Sequence, residues 1–99
     1  MQSIPHCTFI LFYSNINPES LKTKLAASET IEKYRDALTI NILEADFDHD
    51  KKLCKDFGIM GVPALLIFIN QKLLGRYYGE LSAEEFENII EGVLKNPNN

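Results

Sequence analysis

Two short runs of the chain consist almost entirely of apolar residues. Residues 6–13 read HCTFILFY and residues 64–69 read ALLIFI, and both are rich in β-branched or aromatic side chains. Polar residues follow each run. Continuous apolar runs of this length are typical of strands that are covered on both faces. The pattern therefore predicts two central strands at these positions.

Two further segments have the mixed polarity of outer strands. Residues 39–46 (TINILEAD) alternate in part between apolar and polar positions. Residues 73–78 follow the second apolar run after the tight turn Asn70-Gln71, and Gly79 ends them. The short turn predicts a β-hairpin. Both segments are expected to lie outside the two central strands.

One helix is predicted between the first and second strands, and another between the second and third. Asn17 is a suitable N-cap, and Pro18 fits the first position of a helix that we expect to end near residue 35. A short helix is predicted over residues 49–57, capped by Asp48 and ended by Gly58. The first helix carries one stripe of more apolar positions: Leu21, Leu25, Ser28, Ile31 and Tyr34.

A third helix is predicted after the hairpin. Ser82 and Glu85 have the spacing of a capping box, in which each side chain binds the backbone N–H of the other residue. Apolar residues then recur at helical spacing and are assigned to the core: Phe86, Ile89, Ile90, Val93 and Leu94.

The predicted order is thus β-α-β-α-β-β-α, in a single domain over residues 1–99 with a core of about 6–95. The first crossover connection predicts a right-handed parallel pair, and the hairpin predicts an antiparallel pair. With the two apolar strands in the centre, these pairings favour a four-stranded mixed sheet in the order 2-1-3-4 with helices on both faces. The fold class is α/β.

Composition narrows the classes of partner. The chain has a net charge of −4 and no basic stripe, which argues against a nucleic-acid partner. No apolar run reaches the ~18 residues of a membrane span, and no signal peptide is indicated. Cys7 and Cys54 match neither a zinc-binding spacing nor a disulfide framework. We therefore expect a cytoplasmic protein with reduced thiols and no membrane contact.

The segment over residues 57–82 resembles the second half of a thioredoxin. It reads FGIMGVPALLIFINQKLLGRYYGELS and contains the aromatic-Gly-Ile-x-Gly-Val-Pro motif. Gly79 corresponds to the glycine after the last strand, and Leu81-Ser82 to the start of the final helix. The resemblance covers about residues 8–95 and implies a thioredoxin-like fold. It also implies a cis peptide bond before Pro63.

The residues that carry the chemistry of a thioredoxin differ. Where the family has W-C-G-P-C, this chain has residues 16–20, INPES, so that Asn17 and Ser20 stand in place of the two cysteines. Leu11 stands where the family has a buried acid. Glutaredoxin-like Cys-Pro-x-Ser sites work with one thiol, but they need the first cysteine. Because exchange requires a thiolate, dithiol chemistry at this site is excluded.

The resemblance implies a binding function in place of the lost chemistry. Loss of the thiols leaves the loop at Pro63 in place, and this loop pairs with extended peptides in the family. We therefore expect a chaperone or assembly-type module with a protein or peptide partner and no cofactor. The residues expected to contact the peptide are Ile16, Asn17, Pro18, Ser20, Met60, Gly61, Val62, Pro63, Tyr78 and Gly79.

Several alternatives remain open. Asn17 and Pro18 are explained by helix capping alone, and Pro63 by the shape of its loop alone. Cys7 and Cys54 are either buried inert thiols or the basis of an atypical oxidoreductase or redox sensor, for which Cys54 is the better candidate. The acidic segment over residues 46–50 imitates half of a calcium loop but lacks the glycine and glutamate that such a loop needs, so no metal site is predicted.

Overall fold

The computed structural model describes residues 6–37 and 39–95. The elements, in chain order, are β1 (His6–Tyr13), α1 (Pro18–Tyr34), β2 (Thr39–Asp46), α2 (Lys51–Asp56), β3 (Ala64–Ile69), β4 (Lys72–Tyr78) and α3 (Ala83–Lys95). The four strands form one sheet in the order β2-β1-β3-β4. The predicted element order and sheet order are confirmed.

The strand pairings also follow the prediction. β1 runs parallel to β2 and antiparallel to β3, and β3 runs antiparallel to β4. The two central strands are buried over most of their length because their side chains are apolar on both faces. Alternate residues of each strand therefore enter two separate cores.

The two cores lie on opposite faces of the sheet. On one face, α1 and α3 cover a cluster that includes Phe9, Leu11 and Phe86. On the other face, the short α2 covers a smaller cluster that includes Phe12 and Leu66. Helices on both faces are thus confirmed, and among the described residues the second face is covered by the six-residue helix α2.

The buried face of α1 differs from its predicted apolar stripe. Leu21 and Leu25 are 43% and 62% exposed. The helix instead turns small or hydroxyl-bearing residues inward: Ser20, Thr23, Ala27 and Thr30. Small side chains let the helix backbone approach its neighbours, and the two threonine hydroxyls are satisfied by hydrogen bonds to backbone groups. The predicted stripe is therefore wrong for Leu21 and Leu25, which do not belong to the core.

The start of α2 is also corrected. The helix begins at Lys51 after the N-cap Asp50, two residues later than predicted, and Asp50 makes no side-chain capping bond. Asp48 does not cap it, because its carboxylate accepts a hydrogen bond from Ser14 Oγ at 2.7 Å. The end of α2 is as expected, with Gly58 in the left-handed region at φ 68°.

The capping box of α3 forms as predicted. The Glu85 N–H donates to Ser82 Oγ at 3.1 Å, and the Ser82 N–H donates to Glu85 Oε1 at 3.2 Å. Phe86, Ile90 and Val93 are buried on the inner face of the helix. No helix among the described residues combines the length and the apolar character that crossing a membrane requires.

The β3–β4 hairpin closes through a two-residue turn. Asn70 and Gln71 both have positive φ, at 49° and 73°. The Asn70 N–H donates to the His6 carbonyl at 2.9 Å, and the His6 N–H donates to Asn70 Oδ1 at 3.2 Å. The turn and the start of β1 therefore lie together at one end of the sheet.

Candidate functional site

The loops that carry the predicted site residues lie together at the opposite end of the sheet. Phe12 near the end of β1 pairs with Ala64 at the start of β3, so the residues before Ala64 lie beside those that follow Tyr13. The Gly79 N–H donates to the Pro63 carbonyl at 2.9 Å, which ties the end of β4 to the same place. We call this surface, formed by residues 14–20, 60–63 and 78–79, the loop edge.

The loop before β3 has an unpaired backbone. The Val62–Pro63 peptide bond is cis. The Pro63 ring is buried, whereas Gly61 and Val62 are partly exposed. Within the described part of the chain, no hydrogen bond engages the backbone of Met60, Gly61 or Val62. This stretch therefore presents N–H and C=O groups that are available to another chain.

Apolar side chains at the loop edge are exposed to solvent. Ile16 is 87% exposed and Met60 is 91% exposed, and Tyr78 is exposed as well. Because these large apolar side chains are so exposed, they contribute little to the stability of the fold. They supply surface that a partner can bury.

The start of α1 is explained by capping at Asn17. Its Oδ1 accepts a hydrogen bond from the Ser20 N–H at 2.7 Å, and its own N–H donates to the Ser14 carbonyl at 3.1 Å. Pro18 is exposed at the first helical position. Ser20 is fully buried, and its Oγ has no hydrogen-bond partner among the described residues.

The structure therefore divides the ten residues expected to contact a peptide. It brings most of them to the exposed part of the loop edge: Ile16, Asn17, Pro18, Met60, Gly61, Val62, Tyr78 and Gly79. The side chains of Ser20 and Pro63 lie beneath this surface. Ser20 points inward because the third residue of α1 falls on the face that packs against the core.

A groove adjoins the loop edge at Met60. It has a volume of about 420 Å³ and lies between α2 and the segments on either side of it. Its lining is mainly apolar and includes two lysines: Phe47, Lys51, Cys54, Lys55, Gly58, Ile59 and Met60. Neither lysine forms an ion pair with another described residue. The groove could therefore take an apolar side chain with a carboxylate near it.

Both thiols are free and buried. Burial raises the pKa of Cys7 to about 12. Burial also raises the pKa of Cys54, and the charges of Asp50 and Asp46 raise it further. Cys7 precedes the last residue of β1 by six positions, which places it roughly 20 Å from the loop edge. Neither environment favours the thiolate that nucleophilic chemistry needs.

The acidic turn between β2 and α2 is an ordered hydrogen-bonded structure. His49 Nδ1 lies 3.0 Å from Asp46 Oδ2, and the Asp48 N–H donates to Asp46 Oδ1 at 2.9 Å. The hydrogen bond from His49, with that from the Asp48 N–H, lowers the pKa of Asp46. The hydrogen bond to Asp46 raises the pKa of His49, and the charge of Asp46 adds to this effect.

From the sequence, these residues were treated only as an incomplete calcium loop, and the turn was not predicted. The signal for it was present, because an Asp that accepts from the N–H two residues later forms a common type of turn. The contact of Asp48 with Ser14 was not visible from the sequence, since 34 positions separate the two residues. No group of three or more potential metal ligands occurs within the described ranges.

A second contact near the loop edge was missed. Lys24 Nζ lies 4.2 Å from the centroid of the Tyr13 ring and 3.9 Å from Glu44 Oε2. The three residues come from α1, β1 and β2, and no local motif joins them. The Tyr13 ring at the end of β1 is thus covered by a cation.

Four strands in this order, helices on both faces and a proline loop beside the start of α1 define a thioredoxin-like fold. Residues 7–92 match the sequence profile of the family described as Thioredoxin. The chain belongs to the thioredoxin family. No curated protein matches it in sequence.

Solved structures share the fold at low sequence identity. Thioredoxin-2, described as a component of the protein secretion machinery of the malaria parasite, has a TM-score of 0.80 at 15% identity, over 92% of this chain and 86% of that chain. A malarial protein has a TM-score of 0.79 at 16% identity, over 88% and 96% of the two chains. A structure from work on thiol resolution in yeast mitochondrial 1-Cys peroxiredoxin has a TM-score of 0.75 at 18% identity, over 88% and 78%.

Proposed function

We propose that this chain binds an extended segment of a partner protein at the loop edge, as a chaperone or assembly-type module, without dithiol chemistry there. One observation carries the proposal: exposed apolar side chains surround a backbone stretch, residues 60–62, that makes no hydrogen bond within the described chain. An extended peptide can pair with such a backbone while its side chains fill neighbouring depressions.

The groove beside Met60 suggests the character of the bound segment. Its mainly apolar lining favours an apolar side chain. Lys51 and Lys55 line the same groove, and both can attract a carboxylate. We therefore propose that the preferred segments combine apolar and acidic residues.

The residues at the start of α1 support binding over catalysis. Asn17 and Ser20 have no thiol, and neither an amide nor a hydroxyl can replace a thiolate in exchange with a disulfide. Asn17 is engaged in capping, and Ser20 is buried. The loop edge keeps an apolar surface but has no nucleophile of the kind that the family uses.

A peptide-binding measurement tests the proposal. Peptides would be selected from a displayed random library and titrated into the ¹⁵N-labelled protein. We expect shift changes at Ile16, Met60, Val62 and Gly79. Met60→Asp places a charge at an exposed apolar position and should weaken binding at least tenfold without unfolding the chain.

Leu74→Asp is the matched control, because Leu74 is also an exposed apolar residue of similar size but lies within β4. It should leave peptide affinity unchanged. Selected peptides whose shift changes avoid the loop edge, or that bind the Met60→Asp variant as well as the wild type, would contradict the proposal.

The rival function is an atypical thiol oxidoreductase or redox sensor. The observation in its favour is that Cys54 lines the groove next to Met60. Insulin reduction by dithiothreitol, followed by turbidity, separates the two functions. We expect no acceleration above the reagent alone. Acceleration that is lost in Cys54→Ser but kept in Cys7→Ser would establish the rival instead.

A further inference from the structure

The two outer strands of the sheet differ in how well their free edges are protected. β4 carries Lys72 and Arg76, and a bulge interrupts its register with β3. Charged side chains and bulges are devices that keep an edge strand from pairing with another chain. Within the described residues, no strand pairs with the outer edge of β4 or of β2.

β2 has none of those devices over most of its length. Its eight residues keep an unbroken register with β1, and they include no lysine, arginine, proline or glycine. Its two charged residues, Glu44 and Asp46, lie within its last three positions. The first five residues, TINIL, therefore present a regular and uncharged edge.

An exposed leucine lies beside this edge on the α2 face of the sheet. Leu43 pairs with Ile10, which belongs to the core on that face, so both side chains point the same way. Ile10 is buried, but Leu43 is 55% exposed, because α2 does not extend over it. A partner strand along β2 would cover it.

On the other face of the sheet, the flank of α1 beside β2 carries one more exposed leucine, Leu21. Lys24 reaches Glu44 on β2, whereas Lys33 and Tyr34 contact Glu87 and Glu91 on α3. The β2 side and the α3 side of α1 are thus different flanks of the helix. At about 100° per residue, Leu21 lies next to Lys24 on the flank away from α3, whereas Leu25 lies opposite the buried face of α1 and points into solvent.

We propose that two copies of this chain pair through β2 in antiparallel orientation, with Leu43 of one copy opposite Leu43 of the other. The two four-stranded sheets then become continuous across a twofold axis. The same patch serves both copies, as a twofold interface requires.

Charge and side-chain direction are both compatible with this register. Opposite residues in an antiparallel pair point to the same face, and Leu43 opposite itself satisfies that rule. Glu44 then lies opposite Ile42, and Asp46 opposite Ile40, so no carboxylate lies directly opposite another. The two Glu44 side chains are diagonal neighbours on the α1 face, and Lys24, 3.9 Å from Glu44 Oε2 in each copy, offsets their charge. The edge is short, and the dimer should therefore dissociate in the micromolar range.

Sedimentation equilibrium of the full chain tests the association. From about 1 µM to about 1 mM, a range that brackets the expected dissociation constant, the average mass should rise from one chain to two. Leu43→Glu places two carboxylates on the axis and should hold the protein as a monomer with an unchanged circular dichroism spectrum. Leu74→Glu, on β4, should dimerise like the wild type.

Cysteine cross-linking tests the register independently of that variant. In a Cys54→Ser background, Leu43→Cys should form a disulfide-linked dimer under mild oxidation, because opposite residues can meet the required Cβ separation of about 3.5–4.5 Å. Thr39→Cys is the matched control on the same strand. In this register the two residues 39 are about 27 Å apart, so no cross-link should form.

Three outcomes would overturn the proposal. The first is a wild-type chain that stays monomeric over the whole concentration range. The partner of the outer edge of β2 would then be a strand of another protein. The second is a dimer that the Leu43→Glu variant still forms. The third is cross-linking at Thr39→Cys as rapid as at Leu43→Cys.

Discussion

The backbone N–H of Leu81 donates a hydrogen bond of 3.1 Å to Thr23 Oγ1 in the interior of the protein. Thr23 lies in the second turn of α1, and Leu81 precedes α3 by two residues. Both residues are buried, so water cannot replace either partner. The Thr23 hydroxyl thus holds the segment that leads into α3 in place against α1.

Replacement of Thr23 by valine should therefore destabilise the fold. Valine has nearly the same shape but leaves the Leu81 N–H buried without an acceptor, which costs about 1–3 kcal/mol. Urea unfolding followed by circular dichroism measures the loss. Thr23→Ser keeps the hydroxyl and should cost less than Thr23→Val. A valine variant as stable as the wild type would mean that the hydrogen bond contributes nothing.

Leu11 should behave as a core residue. It is fully buried in the cluster under α1 and α3. Leu11→Ala should lower the free energy of unfolding by about 2–5 kcal/mol, whereas the exposed Leu74→Ala should stay within about 0.5 kcal/mol of the wild type. Both are measured by urea unfolding. Equal effects of the two substitutions would show that position 11 is not packed.

Leu11→Asp extends the same test to charge. A buried carboxylate without a partner is costly, so this variant should be largely unfolded near neutral pH. Protonation removes the charge, and folding should recover in part as the pH falls. Circular dichroism across the pH range measures the recovery. A Leu11→Asp variant that melts like the wild type at neutral pH would place position 11 in water.

The contact between His49 and Asp46 should make stability depend on pH. The raised pKa of His49 means that its contribution is complete below the ordinary value of 6.5 and is lost as the pH rises through the folded-state pKa. The lowered pKa of Asp46 means that its contribution is complete above 3.8 and is lost as the pH falls through the folded-state pKa.

The stabilisation by this pair should thus be greatest between about pH 3.8 and about pH 6.5. His49→Gln should lower the melting temperature most in that window and least at alkaline pH, in a series of thermal melts. His6→Gln, which removes a histidine at the other end of the sheet, is the control. A deficit for His49→Gln that stays constant with pH would exclude the ion pair as its cause.

Thiols introduced at the start of α1 should regain part of the lost chemistry. Asn17→Cys with Ser20→Cys places two thiols three residues apart, and the helix N-terminus lowers the pKa of the first. Loss of the Asn17 cap costs about 1 kcal/mol. Glu19 opposes thiolate formation by its like charge. We expect a reversible intramolecular disulfide, detected by mass spectrometry, and slow reduction of insulin.

The single variant Asn17→Cys is the control, and it should form no intramolecular disulfide at this site. If the double variant can be oxidised only when it unfolds, residues 17 and 20 are not arranged as in a redox thioredoxin. The match of residues 17 and 20 with the two cysteines of the family would then be wrong, and the peptide-binding site of the proposed function was first inferred from that match.

The strands were predictable because each is a short apolar or alternating run with turn residues at its ends. His6–Tyr13 and Ala64–Ile69 were predicted with their observed bounds. The face of α1 was not predictable from hydrophobicity, because its buried positions hold Ser20, Thr23 and Thr30. Their hydroxyls bind backbone groups or lie enclosed, and only the folded chain supplies those surroundings.

The loop edge was located from a motif, but its wider contacts were not. Asn17, Met60 and Val62 belong to segments that the resemblance singled out. The link from Ser14 to Asp48 and the position of Lys24 over Tyr13 join segments that are distant in sequence. Such contacts depend on the packing of α1 and β2 against β1.

The hairpin turn at Asn70 and Gln71 has a practical consequence for attaching the molecule to a surface. It closes the sheet at the end opposite to the loop edge, and a strand of eight residues such as β1 spans about 26 Å. Gln71 is exposed, while Cys7 and Cys54 are buried. A maleimide support would thus react first with a cysteine placed at position 71. The immobilised protein would then be oriented with the loop edge away from the support and facing the solution.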